Sequence, residues 1–219
     1  MEQREILPAR QARSGGLTAA SVRAHFGAYR PGMRSFDSEK VRGDHLLSPD
    51  AKLPPGLRPA AVLVPIVDRP TGLSVLLTQR HEKLSAHAGQ VSLPGGRIEP
   101  TDADAVAAAL RETREEIGLP ADRIEVIGRL DTYITGTGFE IIPIVALLAP
   151  PLPLMPDPRE VTEVFEVPLP LVADRANYRQ ETRELKNGVR TYFVLTHDSR
   201  YIWGATAGIL VNLAEVLAT

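Results

Sequence analysis

Residues 95–119 read GGRIEPTDADAVAAALRETREEIGL, and this stretch decides the fold. Its second half predicts a helix. Val106, Leu110, Thr113 (by its methyl) and Ile117 recur at a 4-3-4 spacing, which marks one buried face. Thr101, with Asp104 three residues later, resembles a capping box, and Gly118 supplies the stop. Glu112, Glu115 and Glu116 occupy a different face. At about 100° per residue, Glu112 and Glu116 lie roughly 40° apart, and Glu115 lies about 60° to the other side of Glu112. Three carboxylates on one strip repel, and two of them lie near the C-terminus, where the helix dipole disfavours anions. A hard divalent cation relieves both conflicts, because Mg²⁺ or Mn²⁺ takes oxygen ligands and bridges to phosphates. The competing reading is a solvated acidic face, with Arg111 paired to Glu115 and Arg114 assisting. The preceding Pro94-Gly95-Gly96 turn favours the cation. Its glycines permit close ligand approach and expose backbone carbonyls.

Outward from this helix the chain alternates short apolar runs with turn signals. Residues 60–67 and 73–80 form two such runs separated by Pro70-Thr71-Gly72, and read as a hairpin. Residues 89–94 read as a short strand entering the glycine turn. Residues 124–134 and 139–149, joined by Thr135-Gly136-Thr137-Gly138, read as a second hairpin. A proline-rich loop follows over 150–158. Strands near 178–185 and 189–196 are joined by Asn187-Gly188, a strong hairpin turn. A helix over about 205–217 closes the chain. Upstream, residues 17–30 predict a helix ending before Pro31-Gly32, and Pro54-Pro55-Gly56 marks a boundary. This order implies an α/β (α+β) domain over 59–219, a mixed sheet sandwiched between helices in α/β/α layers, preceded by an N-terminal extension over 1–58.

Composition narrows the function. A net charge of −2 excludes a broad basic surface for nucleic acid. With no cysteine, disulfides, thiolate metal sites and cysteine nucleophiles are excluded. No apolar run approaches the roughly 20 residues of a membrane span, and the first residues lack a leader-like apolar stretch. A cytoplasmic protein is expected. Five scattered histidines have no ligand-like spacing for zinc. Ser85 and Ser92 lack a nearby His/Asp arrangement for nucleophilic catalysis.

Residues 95–119 resemble the Nudix box, and its Arg-Glu-x-x-Glu-Glu-x-Gly core matches at Arg111, Glu112, Glu115, Glu116 and Gly118. The first half departs: Asp102 stands where the common pattern has Glu, and the spacing to Arg111 is one residue longer. Residues 76–96, LLTQRHEKLSAHAGQVSLPGG, resemble the signature of the coenzyme A pyrophosphatase branch, which also carries the longer box with an Asp. His81, Ser85 and Leu93 differ from the usual residues there. Residues 135–145, 160–169 and 201–210 look similar too, so the resemblance covers roughly 58–217.

The resemblance implies attack of water on a pyrophosphate in a small nucleotide substrate, assisted by Mg²⁺ or Mn²⁺. Glu112, Glu116 and Glu115 are the expected metal ligands, with the Gly96 carbonyl as a backbone ligand. Arg111 is expected to orient the glutamates. The general base is a box glutamate or a distant acid, and Glu160 and Glu163, assigned to the loop after the second hairpin, are candidates, Glu163 being the one retained. Arg80, Arg97, Gly95 and Gly96 are the expected substrate contacts. His87 and Trp203 read as structural, Trp203 as an anchor for the last helix. The expected substrate is coenzyme A or an acyl-coenzyme A, with ADP-ribose, a nucleotide sugar or an oxidised nucleotide as the alternative. A non-catalytic ligand-binding module is the reading from a different class. The extension is assigned to homodimer formation or to covering the acyl side of the site.

Overall fold

A computed structural model of the chain describes residues 16–30, 41–48, 55–84, 87–185 and 188–218. The N-terminal arm before residue 16, Ser85 and Asn187 therefore lie outside the described residues. In chain order the first elements are α1 (Ala19–Ala28), β1 (Arg42–Gly43), α2 (Asp44–Leu47), β2 (Arg58–Arg69) and β3 (Gly72–Arg80). Then come β4 (Val91–Ser92), β5 (Gly95–Arg97), α3 (Ala105–Ile117), β6 (Ile124–Arg129), β7 (Tyr133–Ile134) and β8 (Phe139–Leu148). The chain continues through β9 (Val161–Pro168), α4 (Leu169–Ala173), β10 (Tyr178–Leu185), β11 (Gly188–His197), β12 (Arg200–Trp203) and α5 (Gly204–Leu217).

Strands β1 to β9 form one mixed sheet, and β10 to β12 form a separate three-stranded antiparallel sheet. The axis of the large sheet is β2, which runs parallel to β8 from Arg58↔Phe139 to Val67↔Leu148. The start of β2 pairs antiparallel with β5 and its end with β3, so the two predicted strands 60–67 and 73–80 do form a hairpin. Side chains along β2 alternate between the two faces of the sheet. Ala61, Leu63 and Val67 pack on the side of α3, together with Ala108, Ala109 and Ile117. Val64 and Ile66 face the opposite core, with Leu210, Leu213 and Ala214 of α5 and Val22 and Phe26 of α1. A strand buried on both faces reads as a continuous apolar run, which is why AAVLVPIV carried no alternation. The helices on both faces give the expected α/β/α layering.

Three local expectations are corrected. The cap of α3 is Asp104, which accepts from Ala107 N at 2.8 Å, not Thr101. A short aspartate at the last non-helical position is the better acceptor for the first free N–H groups. Val106 and Leu110 are half-buried, while Ala108 and Ala109 are fully buried, because small residues let α3 approach β2 closely. The second hairpin is split: β6 and β7 both pair with β8, separated at 130–132. There Asp131 is buried and accepts from Tyr29 Oη at 2.6 Å and Arg42 Nε at 2.9 Å, while its N–H reaches Asn212 at 3.0 Å. This interruption docks α1, β1 and α5. The described part of the extension thus shares the main core. Asp44 completes the tie, accepting from Tyr133 Oη and Gly136 N, each at 2.7 Å. No helix among the described residues is long and apolar enough to cross a membrane.

The close approach of α5 to β7 gives a stability test. A Cβ at Gly208 lies 2.5 Å from Cε2 of the buried Tyr133 ring, whereas one at Gly27 in α1 meets nothing within 4 Å. Overpacking costs typically 1–3 kcal/mol, while Gly to Ala in an open helix gains up to about 1 kcal/mol. Urea denaturation is expected to show Gly208→Ala destabilised and Gly27→Ala equal or more stable; the same sign for both contradicts the packing.

Candidate active site

The acidic strip of α3 does not present three equivalent carboxylates. Glu115 is exposed and reaches Arg111 Nη1 at 3.2 Å. Glu112 is half-buried and accepts from the same Nη1 at 2.9 Å. Glu116 is sunk into the protein, with its side chain only 3% exposed. It accepts from Arg80 Nη1 at 3.3 Å and from Gly95 N at 3.2 Å. One turn apart on one face, Glu112 and Glu116 look toward the end of β3 and the β5 turn, while Glu115 looks to solvent.

Arg111 fixes this arrangement. Its Nε and Nη2 form a fork on Asp102, both at 2.9 Å, and its Nη2 also donates to the Arg97 carbonyl at 3.0 Å. Asp102 in turn accepts from Glu99 N at 2.8 Å. The fork holds Asp102 below the usual carboxylate range, chiefly through the Arg111 hydrogen bonds. Asp102 therefore locks the loop to the helix, a role the box departure left open. The planar guanidinium suits this, since it meets a carboxylate with two parallel bonds.

The glycine turn brings backbone beside the acids. Gly95 has φ +150, and a Cβ there lies 2.4 Å from the Ala61 carbonyl. A Cβ at Gly96 lies 2.5 Å from Cδ of Glu112, so only glycine leaves room for that carboxylate. Arg80 arrives by a different device. The β3–β9 register shifts between Gln79 and Arg80, and such bulges re-aim a side chain. Its Nε is buried with no hydrogen-bond partner among the described residues.

Burial raises the carboxyl of Glu116 to about 7, against the lowering effects of Arg80 and Gly95 N; Glu112 and Glu160 push the same way as burial. Glu112 is also raised, first by burial and less by Glu115 and Glu160. Glu160 thus stands close enough for its charge to reach both acids. The His81 N–H donates to the Glu160 carbonyl at 2.8 Å, which holds Glu160 at the end of β3 beside Arg80. Glu163 does not lie in the predicted loop. It sits within β9, opposite Gln79, and its carboxylate is bound by Arg200. Alternating hydrophobics in 161–167 carry the strand further back than the proline-rich loop led us to expect.

The profile of the NUDIX domain family matches residues 57–186. Proteins of Salmonella paratyphi B and Salmonella heidelberg, each called uncharacterized Nudix hydrolase NudL, are 38% identical over 186 residues, covering 82% of this chain and 96% of theirs. The chain belongs to the Nudix hydrolase family. Among solved structures, a Nudix hydrolase from M. smegmatis, RenU, is 29% identical, with TM-score 0.43 and coverage of 54% of this chain and 75% of that one. As a Nudix hydrolase, the chain is a pyrophosphohydrolase for small-molecule nucleoside diphosphate derivatives and works with a divalent metal ion.

The Nudix donor set fits such an ion. Among the described residues no three acids or histidines already stand as a closed cage. Two facing carboxylates, one buried and under-paired, suit a cation that keeps several waters and completes its shell with substrate oxygens. Beside them opens a cavity of about 580 Å³ lined by the expected Arg80, Gly95, Gly96 and Arg97. His87 and Trp203, read as structural, also line it. Trp203 stacks obliquely with Tyr192 at 5.2 Å between ring centroids. Arg183, Arg190 and Tyr192 were missed; their signal was strand register across the β10–β11 hairpin, which becomes visible only once the hairpin is folded against α5.

A raised Glu116 carries a stability consequence in metal-free protein. The folded state holds the proton more tightly than the unfolded chain. The stabilisation is complete below about pH 4.5 and lost as pH rises through about 7, amounting to at most about 3 kcal/mol. With chelator present, wild-type stability is expected to fall between pH 5 and 8.5, and Glu116→Gln to fall less. Parallel urea midpoints in the two proteins contradict this assignment.

Proposed function

We propose that the chain hydrolyses the pyrophosphate of coenzyme A or an acyl-coenzyme A, releasing 3′,5′-ADP and 4′-phosphopantetheine or its acyl form. One observation carries the reading. The 76–96 signature supplies Arg80, Gly95 and Gly96, which line the cavity and also touch Glu116 or lie against Glu112. The cavity joins arginines, an aromatic pair and apolar side chains such as Val62, Val91 and Ile209, a mixture suited to a phosphorylated nucleoside with a long organic arm.

Glu112 and Glu116, with the Gly96 carbonyl as a backbone ligand, would hold Mg²⁺ or Mn²⁺, which would supply positive charge against the phosphate oxygens and lower the pKa of a bound water. Glu115 sits at the solvent edge of that set. The protein's own contribution is geometric and electrostatic. Arg111 positions Glu112 and, through Asp102 and the Arg97 carbonyl, the glycine turn. Arg80 and Arg97 hold phosphate oxygens. The oxygen of water bonds to one phosphorus, the bridging P–O bond breaks, and the water proton passes to a carboxylate. We place that base at Glu160, whose charge reaches both metal-binding acids, in preference to Glu163, which is bound by Arg200.

Purified protein is expected to convert coenzyme A to 3′,5′-ADP with Mg²⁺ or Mn²⁺ and to leave ADP-ribose and 8-oxo-dGTP largely intact, with Glu116→Gln losing at least about 10²-fold in kcat. Turnover confined to one of the other two substrates keeps the acid pair and removes the coenzyme A reading. In the same assay Glu160→Gln is expected to lose about 10²-fold or more, and Glu163→Gln only a few-fold. The reverse order moves the base to Glu163.

A further inference from the structure

The wall of the cavity away from α3 is built by the β10–β11 hairpin, and its charge has no internal explanation. Arg183 and Arg190 are direct cross-strand partners, so their side chains leave the same face of the ladder, and both line the cavity. Like charges directly opposite destabilise a pair of strands. Most other described arginines that touch a folded neighbour meet a carboxylate: Arg23, Arg42, Arg69, Arg111, Arg159, Arg175, Arg179 and Arg200 all do. Among the described residues, Arg183 and Arg190 have no carboxylate within ion-pair distance. Among the described residues the one carboxylate lining the cavity, Asp44, is engaged by Tyr133 Oη and Gly136 N.

Arg190 is also seated. Arg190 lies against Gly136, where a Cβ falls 2.1 Å from its Nη1, and its Nη2 approaches the Gly136 carbonyl at 3.5 Å. The turn that receives it is clamped by Asp44. Two residues along the same strand face, Tyr192 meets Trp203 at 5.2 Å, giving an aromatic surface beside the two guanidiniums. Arg80 and Arg97 stand apart from this pair, on β3 and β5.

We infer that Arg183 and Arg190 form a second anion subsite, which takes a phosphate monoester on the ribose of a nucleotide whose base lies on Tyr192 and Trp203. This makes them specificity-determining residues for a substrate with a phosphate outside the scissile pyrophosphate. The inference rests on the reading of this cavity as the nucleotide site. A monoester with nearly two negative charges neutralises the repelling pair, and base stacking on aromatic rings tolerates any purine.

Calorimetric titration of the full chain with 3′,5′-ADP, 2′,5′-ADP and 5′-AMP tests it without any turnover. The 3′-phosphate is expected to tighten binding at least about tenfold over 5′-AMP. In Arg183→Gln/Arg190→Gln the ratio falls to near one. The melting temperature of the ligand-free double variant is expected to match or exceed wild type, since a repulsion has been removed; Arg183→Gln alone, in an exposed strand position, provides the second variant. Preference for 2′,5′-ADP, lost in the variants, upholds the ribose-phosphate subsite and removes the coenzyme A reading. Equal affinity for all three nucleotides in wild type, or a preference that survives in the double variant, overturns the inference even where coenzyme A is hydrolysed.

Discussion

Glu116 is the constraint around which the site is organised. A carboxylate 3% exposed is costly to ionise unless positive charge or hydrogen bonds surround it. Among the described residues Glu116 receives one arginine contact at 3.3 Å and one backbone N–H at 3.2 Å. Burial prevails over both, and the group is raised to about 7. Glu112, a turn away, adds a like charge rather than relieving it. An isolated fold gains nothing from this pairing, and the proposed reading seats a divalent cation at this junction. Everything nearby serves that junction: the Asp102–Arg111 fork, the Cβ-free Gly96, and the bulge that turns Arg80 inward.

The junction explains the layering. Strand β2 is flanked by β8 on one side and by β5 and β3 on the other, so it holds the glycine turn directly, while the end of β3 is held by β4 and β9. Small residues on α3 let the helix sit close enough for Glu112 to touch Gly96. On the opposite face, α1 and α5 close the core around Asp131. The described parts of the N-terminal segment are therefore structural members of the same body, and Asp44 carries their influence to the cavity wall.

Legibility of the sequence followed the range of the interactions. Helix α3, its C-terminal Gly118 and the hairpin of β2 and β3 rest on local periodicity and turn chemistry, and were readable. The cap was misplaced by three residues because Thr101 and Asp104 are both good acceptors, and only the loop path chooses between them. The partition of the acids, with Glu112 and Glu116 inward and Glu115 outward, was blurred because helical angles alone place all three on one strip. Glu160 and Glu163 are three residues apart, and their difference depends on a strand pairing with Gln79 and on Arg200. Arg183, Arg190 and Tyr192 carry no motif; a hairpin distant in sequence brings them to the cavity.

Proton release on metal binding tests the central claim most directly. Calorimetric titration of Mn²⁺ into the full chain, in buffers of different ionisation enthalpy, counts the protons displaced. With Glu116 near 7 and under the cation, release should approach one proton near pH 6, vanish by about pH 8.5, and disappear in Glu116→Gln together with most of the affinity. Tight binding with no proton release at pH 6, or binding unchanged in Glu116→Gln, would contradict a cation seated on Glu116.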